Sequence, residues 1–118
     1  MQIGGYDGEG TFGDFNWVSL REASDFKIHT GGVYMNNHWI AGSETFTNGF
    51  IDSGTTFTFL PTALFGKIRD HFRWFCGFEG NCMGKILSGN TREICFEYKK
   101  EWSRLDFFKS YPVLKFQL

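Results

Sequence analysis

Short apolar segments separated by glycine-rich turns are the feature that most limits how this chain can fold. The sequence contains 15 Phe and 15 Gly but only 2 Pro. In the predicted strand over residues 25–35, Phe26, Ile28 and Thr30 alternate with polar side chains, as in a strand with one buried face. Aromatic and β-branched side chains also suit the pleated surface of a sheet. The pattern therefore predicts a mostly antiparallel β-structure.

A single amphipathic helix is predicted to interrupt the strands. From residue 62 its apolar positions fall on one face and its charged positions on the other; the apolar ones are Leu64, Phe65, Ile68, Phe72 and Phe75. Pro61 suits a helix start, because its missing N–H would be unpaired there in any case. The pair Asn36-Asn37 predicts a tight hairpin turn. Further strands are predicted at 15–20, 44–46, 49–51, 93–98 and 113–118, with a loop at 76–90.

Length and charge exclude several classes of protein. A chain of 118 residues forms one domain or part of one, and we treat residues 1–118 as a single unit. The net charge of −1 indicates no basic field for nucleic acid or an anionic membrane. No apolar run approaches the roughly 20 residues that cross a bilayer, and no signal peptide is visible.

The sequence gives only weak signals for a nucleotide-binding site and for a zinc site. Gly8, Gly10 and Gly13 match a nucleotide-binding glycine pattern, but a strand-like segment follows them instead of a helix, so we interpret them as a turn. His71 with the three cysteines could suggest zinc, yet the spacing is not that of paired zinc knuckles. We therefore expect no metal and no other cofactor.

One acidic residue, Asp52, lies between two hydrophobic runs and is followed by Ser53, Gly54, Thr55 and Thr56. A carboxylate in an apolar segment is costly unless hydrogen bonds satisfy it. The hydroxyl groups and the backbone N–H groups near Gly54 could keep it ionised. An Asx turn that merely ends a strand explains the same residues, and from the residues alone both interpretations stay open.

The segment around Asp52 resembles the second active-site motif of pepsin-like aspartic proteases. Other segments resemble the C-terminal lobe of that family in the same order along the chain: Ile3-Gly4-Gly5-Tyr6-Asp7, Asn16-Trp17-Val18-Ser19-Leu20, Phe26-Lys27-Ile28 with Val33-Tyr34-Met35-Asn36-Asn37, Thr58-Phe59-Leu60-Pro61 and Tyr111-Pro112-Val113-Leu114-Lys115-Phe116. The resemblance implies a pepsin-like lobe of antiparallel β-structure with one amphipathic helix, incomplete at both ends.

The resemblance also implies a role for each residue of the motif. Asp52 would be one of two catalytic aspartates, and Ser53 would join a hydroxyl network between the two active-site loops. Gly54 would let a backbone N–H reach the carboxylate, and Thr55 would hydrogen-bond its outer oxygen. Thr56 would contact bound substrate.

The resemblance implies that the intact protein is an aspartic endopeptidase acting on polypeptides in a secretory, lysosomal, vacuolar or extracellular compartment. The second catalytic aspartate would belong to an N-terminal lobe that this sequence lacks, so the 118-residue chain alone is expected to be inactive. The alternative is a non-catalytic pepsin-like lobe that serves as a binding module.

The three cysteines give an odd number. Cys76 and Cys82 flank a glycine-containing loop that is flexible enough to bring their Cα atoms to disulfide distance. The resemblance implies that Cys95 pairs with a cysteine beyond Leu118. Full reduction in a cytosolic protein is the alternative.

Overall fold

The computed structural model describes residues 13–14, 16–22, 24–45, 48–78, 80–87 and 93–118. Within these ranges the chain order of elements is β1 (Leu20–Glu22), β2 (Lys27–His29), β3 (Gly32–Met35), β4 (His38–Gly42), β5 (Asn48–Phe50), α1 (Thr62–Arg73), α2 (Arg104–Lys109) and β6 (Leu114–Gln117). A π-helical turn, Trp74–Phe78, continues α1. None of the described helices has the length and hydropathy of a membrane-spanning helix.

The strands form two antiparallel sheets, which confirms the predicted β class. The first sheet has the order β1-β2-β5 and the second has the order β4-β3-β6. In the second sheet β3 is central, and Val33 pairs with Ala41 of β4 on one side and Phe116 of β6 on the other.

The β3–β4 hairpin forms at the predicted turn. Asn36 and Asn37 both adopt positive φ, at 46° and 67°, which asparagine tolerates better than most residues. The Asn36 side-chain oxygen also accepts a 2.9 Å hydrogen bond from the backbone N–H of Val113. The turn therefore holds β6 in register beside β3.

The single strand predicted over residues 25–35 is wrong, because the chain there forms two strands in different sheets. β2 ends at His29, Thr30 is buried, and β3 begins at Gly32. The N–H of Gly31 donates a 2.8 Å hydrogen bond to the carbonyl of Gln117. The apolar positions are even-numbered in the first part, at Phe26 and Ile28, and odd-numbered in the second, at Val33 and Met35, with Gly31-Gly32 between them. The single predicted strand takes no account of this change of phase, which marks the crossing point.

The hydrophobic core lies between the second sheet and α1. Its fully or nearly fully buried side chains are Val33, Met35, Ala41, Leu64 and Ile68. Leu64 and Ile68 are four residues apart and so share one face of the helix. Ile40, Leu60, Phe72 and Leu114 pack around this cluster. The helix predicted from the apolar spacing is confirmed, and its buried face is the predicted one.

A second helix, α2, was not predicted. Ser103 caps it by accepting a hydrogen bond from the Asp106 N–H, and Phe107 is buried among aromatic rings. Those rings include Tyr98, Trp102 and Tyr111, with centroids 4.9–6.2 Å from that of Phe107. Six residues are too few to show a helical period in the sequence.

Other predicted strands differ from those observed. Residues 16–19 are not in a strand, which starts instead at Leu20, and Phe15 lies outside the described residues. Of the strand predicted at 44–46, residues 44–45 form a turn, and Phe46 lies outside the described residues. The predicted strand 93–98 has only an isolated bridge, from Phe96 to Ile86. The strands predicted at 49–51 and 113–118 are present as β5 and β6.

Candidate functional site

The residues around Asp52 form a tight turn between β5 and α1, here called the Asp52 turn (residues 52–55). The N–H of Thr55 donates to the backbone carbonyl of Asp52 at 3.2 Å, which closes a β-turn. The N–H of Gly54 donates to Oδ1 of Asp52 at 2.8 Å, which is the Asx-turn bond expected for an aspartate two residues earlier. Backbone and side chain of Asp52 are therefore both held by the turn.

Among the described residues, each carboxylate oxygen of Asp52 has one donor. The Thr55 hydroxyl donates to Oδ2 at 2.5 Å, while the Gly54 N–H holds Oδ1. Both donors favour the ionised form, and the Thr55 bond followed by the Gly54 bond lowers the pKa of Asp52 below its ordinary value. The carboxylate remains exposed to solvent. It is thus an oriented, ionised group that a reactant can reach.

Gly54 lies close to the carboxylate. A Cβ built at this position would lie 3.2 Å from Oδ1 of Asp52, closer than side-chain carbons normally approach. Glycine here lets the backbone N–H approach the oxygen without a methyl group in the way.

The Asp52 turn opens into a cleft of about 570 Å³. Asp52, Thr55 and Thr56 supply polar groups to its wall, and Ile28 and Thr30 contribute from β2 and the residue after it. Most of the remaining lining is apolar or aromatic: Phe50, Ile51, Phe57, Phe59, Leu60, Phe116 and Leu118. A polar functional group beside apolar walls is typical of binding sites for ligands with apolar parts.

The structure brings together most of the site residues that the sequence predicts. Asp52, Gly54 and Thr55 form one hydrogen-bonded unit, and Thr56 lines the same cleft. Ser53 is exposed and donates no hydrogen bond to the carboxylate within the described part of the chain. Its expected role in a network between two loops stays a prediction.

The sequence did not point to Phe116 of β6, or to Leu118 just after that strand, as residues that line the cleft. Phe116 and Leu118 reach it because β6 pairs with β3, far away along the chain. Their alternation with Lys115 and Gln117 was the only signal available, and it indicated a strand without indicating its neighbour.

Cys76 and Cys82 form a disulfide with a Cα–Cα distance of 4.8 Å, and Cys95 is an exposed free thiol. The bridge joins the π-helical turn after α1 to the following loop. That loop is also held at Met83, whose N–H donates to the Ser110 hydroxyl at 2.9 Å and whose carbonyl accepts from the Tyr111 hydroxyl. The paired cysteines are those named from the sequence, and the pairing of Cys95 with a further cysteine stays a prediction.

The weaker candidate sites gain no support. Gly8 and Gly10 lie outside the described residues, and Gly13 has the positive φ of a turn glycine, at 88°. Two cysteines of the imagined zinc site are bonded to each other. Across the ranges given above, no three His, Cys, Asp or Glu side chains converge as metal ligands would.

A comparison with protein families identifies the family of this chain. The model of the eukaryotic aspartyl protease family matches residues 1–74, more than half of the chain and a span that includes the Asp52 turn. No curated protein and no solved structure matches the chain. Because the family model covers the strands of the hairpin, the Asp52 turn and α1 in one continuous stretch, the chain belongs to the eukaryotic aspartyl protease family.

Proposed function

We propose that the protein is part of an aspartic endopeptidase and that Asp52 is one of its two catalytic carboxylates. The observation that supports this most directly is the geometry of the Asp52 turn. A carboxylate that is exposed, held at both oxygens and kept ionised by the Thr55 hydroxyl and the Gly54 N–H can take a proton from a water molecule.

The proposed reaction needs a second carboxylate. Two carboxylates that share one proton can divide the work: the ionised one takes a proton from water, and the protonated one gives a proton to the carbonyl oxygen of the scissile peptide bond. We assign the second carboxylate to an N-terminal lobe outside this sequence. On this proposal the reaction requires no metal and no covalent intermediate.

The substrate is proposed to be a polypeptide. The cleft beside Asp52 combines hydroxyl groups at Thr55 and Thr56 with apolar walls, which suits an extended chain that presents both backbone groups and apolar side chains. The Cys76–Cys82 disulfide supports an oxidising compartment, and we propose the secretory pathway, a lysosome or vacuole, or the extracellular space.

The test is Asp52→Asn in the full-length protein, assayed with denatured casein at acid pH. We expect a loss of at least about a thousandfold in kcat, because removing a reacting group is far more costly than removing a supporting contact. Asp70→Asn is the matched control: Asp70 is also exposed and lies on α1, paired with Arg69. It should retain full activity.

The competing function is a non-catalytic binding lobe. A full-length protein that binds peptide but does not cleave it, with or without Asp52→Asn, would contradict the proposed catalysis and support that alternative. The 118-residue chain alone should be inactive in the same assay. Turnover that depends on Asp52 would contradict the need for a second lobe, unless the chain forms a symmetric dimer that supplies Asp52 twice.

A further inference from the structure

Two large apolar side chains of α2 point away from the protein. Leu105 and Phe108 are 61% and 70% exposed, whereas Phe107 between them is 8% exposed. Residues three apart on a helix lie on the same face, so Leu105 and Phe108 form one outward ridge. This region lies beyond the residues that the family model matches.

The ridge is held firmly in its outward orientation. Phe107 is anchored by Tyr98, Trp102 and Tyr111, whose ring centroids lie 4.9–6.2 Å from its own. At the end of α2 the Ser110 hydroxyl donates to the Phe107 carbonyl at 2.7 Å. With Phe107 fixed inward, Leu105 and Phe108 cannot turn into the protein without breaking this packing.

Positive charge is concentrated in the segment that carries the ridge. Between residues 99 and 109 four exposed cations stand against two carboxylates: Lys99, Lys100, Arg104 and Lys109 against Glu101 and Asp106. Arg104 occupies the first turn of α2, where the helix dipole disfavours a cation, so its position does not serve the helix itself. The net charge of the whole chain, −1, does not reveal this local excess of positive charge.

We propose that Leu105, Phe108 and these four cations, together the α2 patch, bind the surface of an anionic phospholipid bilayer. Two apolar side chains are too few for a typical protein interface, which buries about 800 Å² on each partner. They suit shallow insertion beside lipid headgroups, where cations gain attraction from anionic lipid.

Charge complementarity is the reason for choosing this occupant, and the proposal departs from the expectation, drawn from the net charge, that the chain has no field for an anionic membrane. The proposal does not depend on catalysis by Asp52. It predicts reversible binding to one face of a membrane and leaves the cleft beside Asp52 free.

The experiment is flotation of the full-length protein with vesicles of phosphatidylcholine alone or with roughly 30% phosphatidylserine. We expect binding only to the anionic vesicles, and release at about 0.5 M salt because screening removes the charge attraction. Leu105→Ser with Phe108→Ser, and separately Lys100→Glu with Arg104→Glu, should each weaken partition at least about tenfold.

The matched control is Lys67→Glu with Arg73→Glu, which changes the net charge equally on exposed positions of α1. It should bind like the wild type. Circular dichroism checks the fold, and since Lys100 and Arg104 are exposed, their variant decides the outcome if the apolar variant fails to fold. No binding to anionic vesicles, equal binding to both vesicle types, or unchanged binding by the Lys100/Arg104 variant overturns the proposal.

Discussion

The hydrophobic core and the Asp52 turn are neighbours in sequence but are stabilised differently. In the core, Met35 of β3 and Leu64 of α1 are fully buried, and their positions depend on packing between distant elements. In the Asp52 turn, the bonds that position the carboxylate come from residues two and three places further along the chain. Phe57 and Phe59, just beyond the turn, are 75% and 80% exposed.

Because the two regions are stabilised differently, the stability of the fold and the geometry of the Asp52 carboxylate should depend on different residues. The carboxylate geometry is local, so it needs little support from the rest of the fold, whereas α1 and the second sheet supply most of the buried apolar surface. Substitutions should therefore sort into those that change the free energy of unfolding and those that change the chemistry of Asp52.

The largest expected effect is on the core. Leu64→Ala should lower the free energy of unfolding by about 2–5 kcal/mol, because it leaves a cavity in a fully buried position. Phe59→Ala, at an exposed position, should change it by less than about 0.5 kcal/mol. Urea unfolding measures both. A loss at Phe59 as large as that at Leu64 would show that the two regions are packed alike.

A smaller effect of opposite sign is expected within α1. Gly66→Ala should raise the free energy of unfolding by about 0.5–1 kcal/mol, because nothing lies within 4 Å of the added methyl group and alanine favours helix. Gly54→Ala is the comparison in the Asp52 turn, where the methyl group would lie 3.2 Å from Oδ1. It should give no gain, and an equal gain at both positions would contradict the close approach at Gly54.

The smallest effect concerns the titration of Asp52. Thr55→Val should raise the pKa of Asp52 toward its ordinary value, because the hydroxyl is the main cause of its lowering; Thr55→Ser should leave it low. Carbon NMR of the Asp52 carboxyl group measures the change. An unchanged pKa in Thr55→Val would show that the hydroxyl bond does not hold the carboxylate.

The same lowered pKa sets the sign of a pH dependence. The folded protein favours ionised Asp52, so this contribution to stability is present above the ordinary aspartate pKa and is lost as the pH falls through the lowered value. The group is exposed, and the contribution is correspondingly small.

The sequence predicted those parts of the structure whose causes are local. The Asn36-Asn37 turn, the apolar face of α1 and the hydrogen bonds from Gly54 and Thr55 to Asp52 all arise between residues close together in the chain. The role proposed for the Asp52 turn rests on the family resemblance, since an Asx turn by itself has no specific function.

The parts that could not be predicted depend on long-range packing. Within residues 25–35 the apolar positions change from even to odd numbers across Gly31-Gly32, where the chain changes sheets, but the sheet that each part joins depends on distant partner strands. The segment 93–98 has strand composition, yet its only described bridge is at Phe96. α2 is fixed by Phe107 packing into an aromatic cluster, which a six-residue sequence window does not reveal.

The placement of β3 between β4 and β6 has a consequence for synthesis. The hydrogen bond from Val113 to Asn36 spans 77 residues, so β6 leaves the ribosome long after the β3–β4 hairpin. Contacts this distant in sequence form late, because closing the intervening chain costs entropy. Until β6 arrives, one edge of β3 has no partner strand, and during that interval the nascent chain is most exposed to pairing with strands of other molecules.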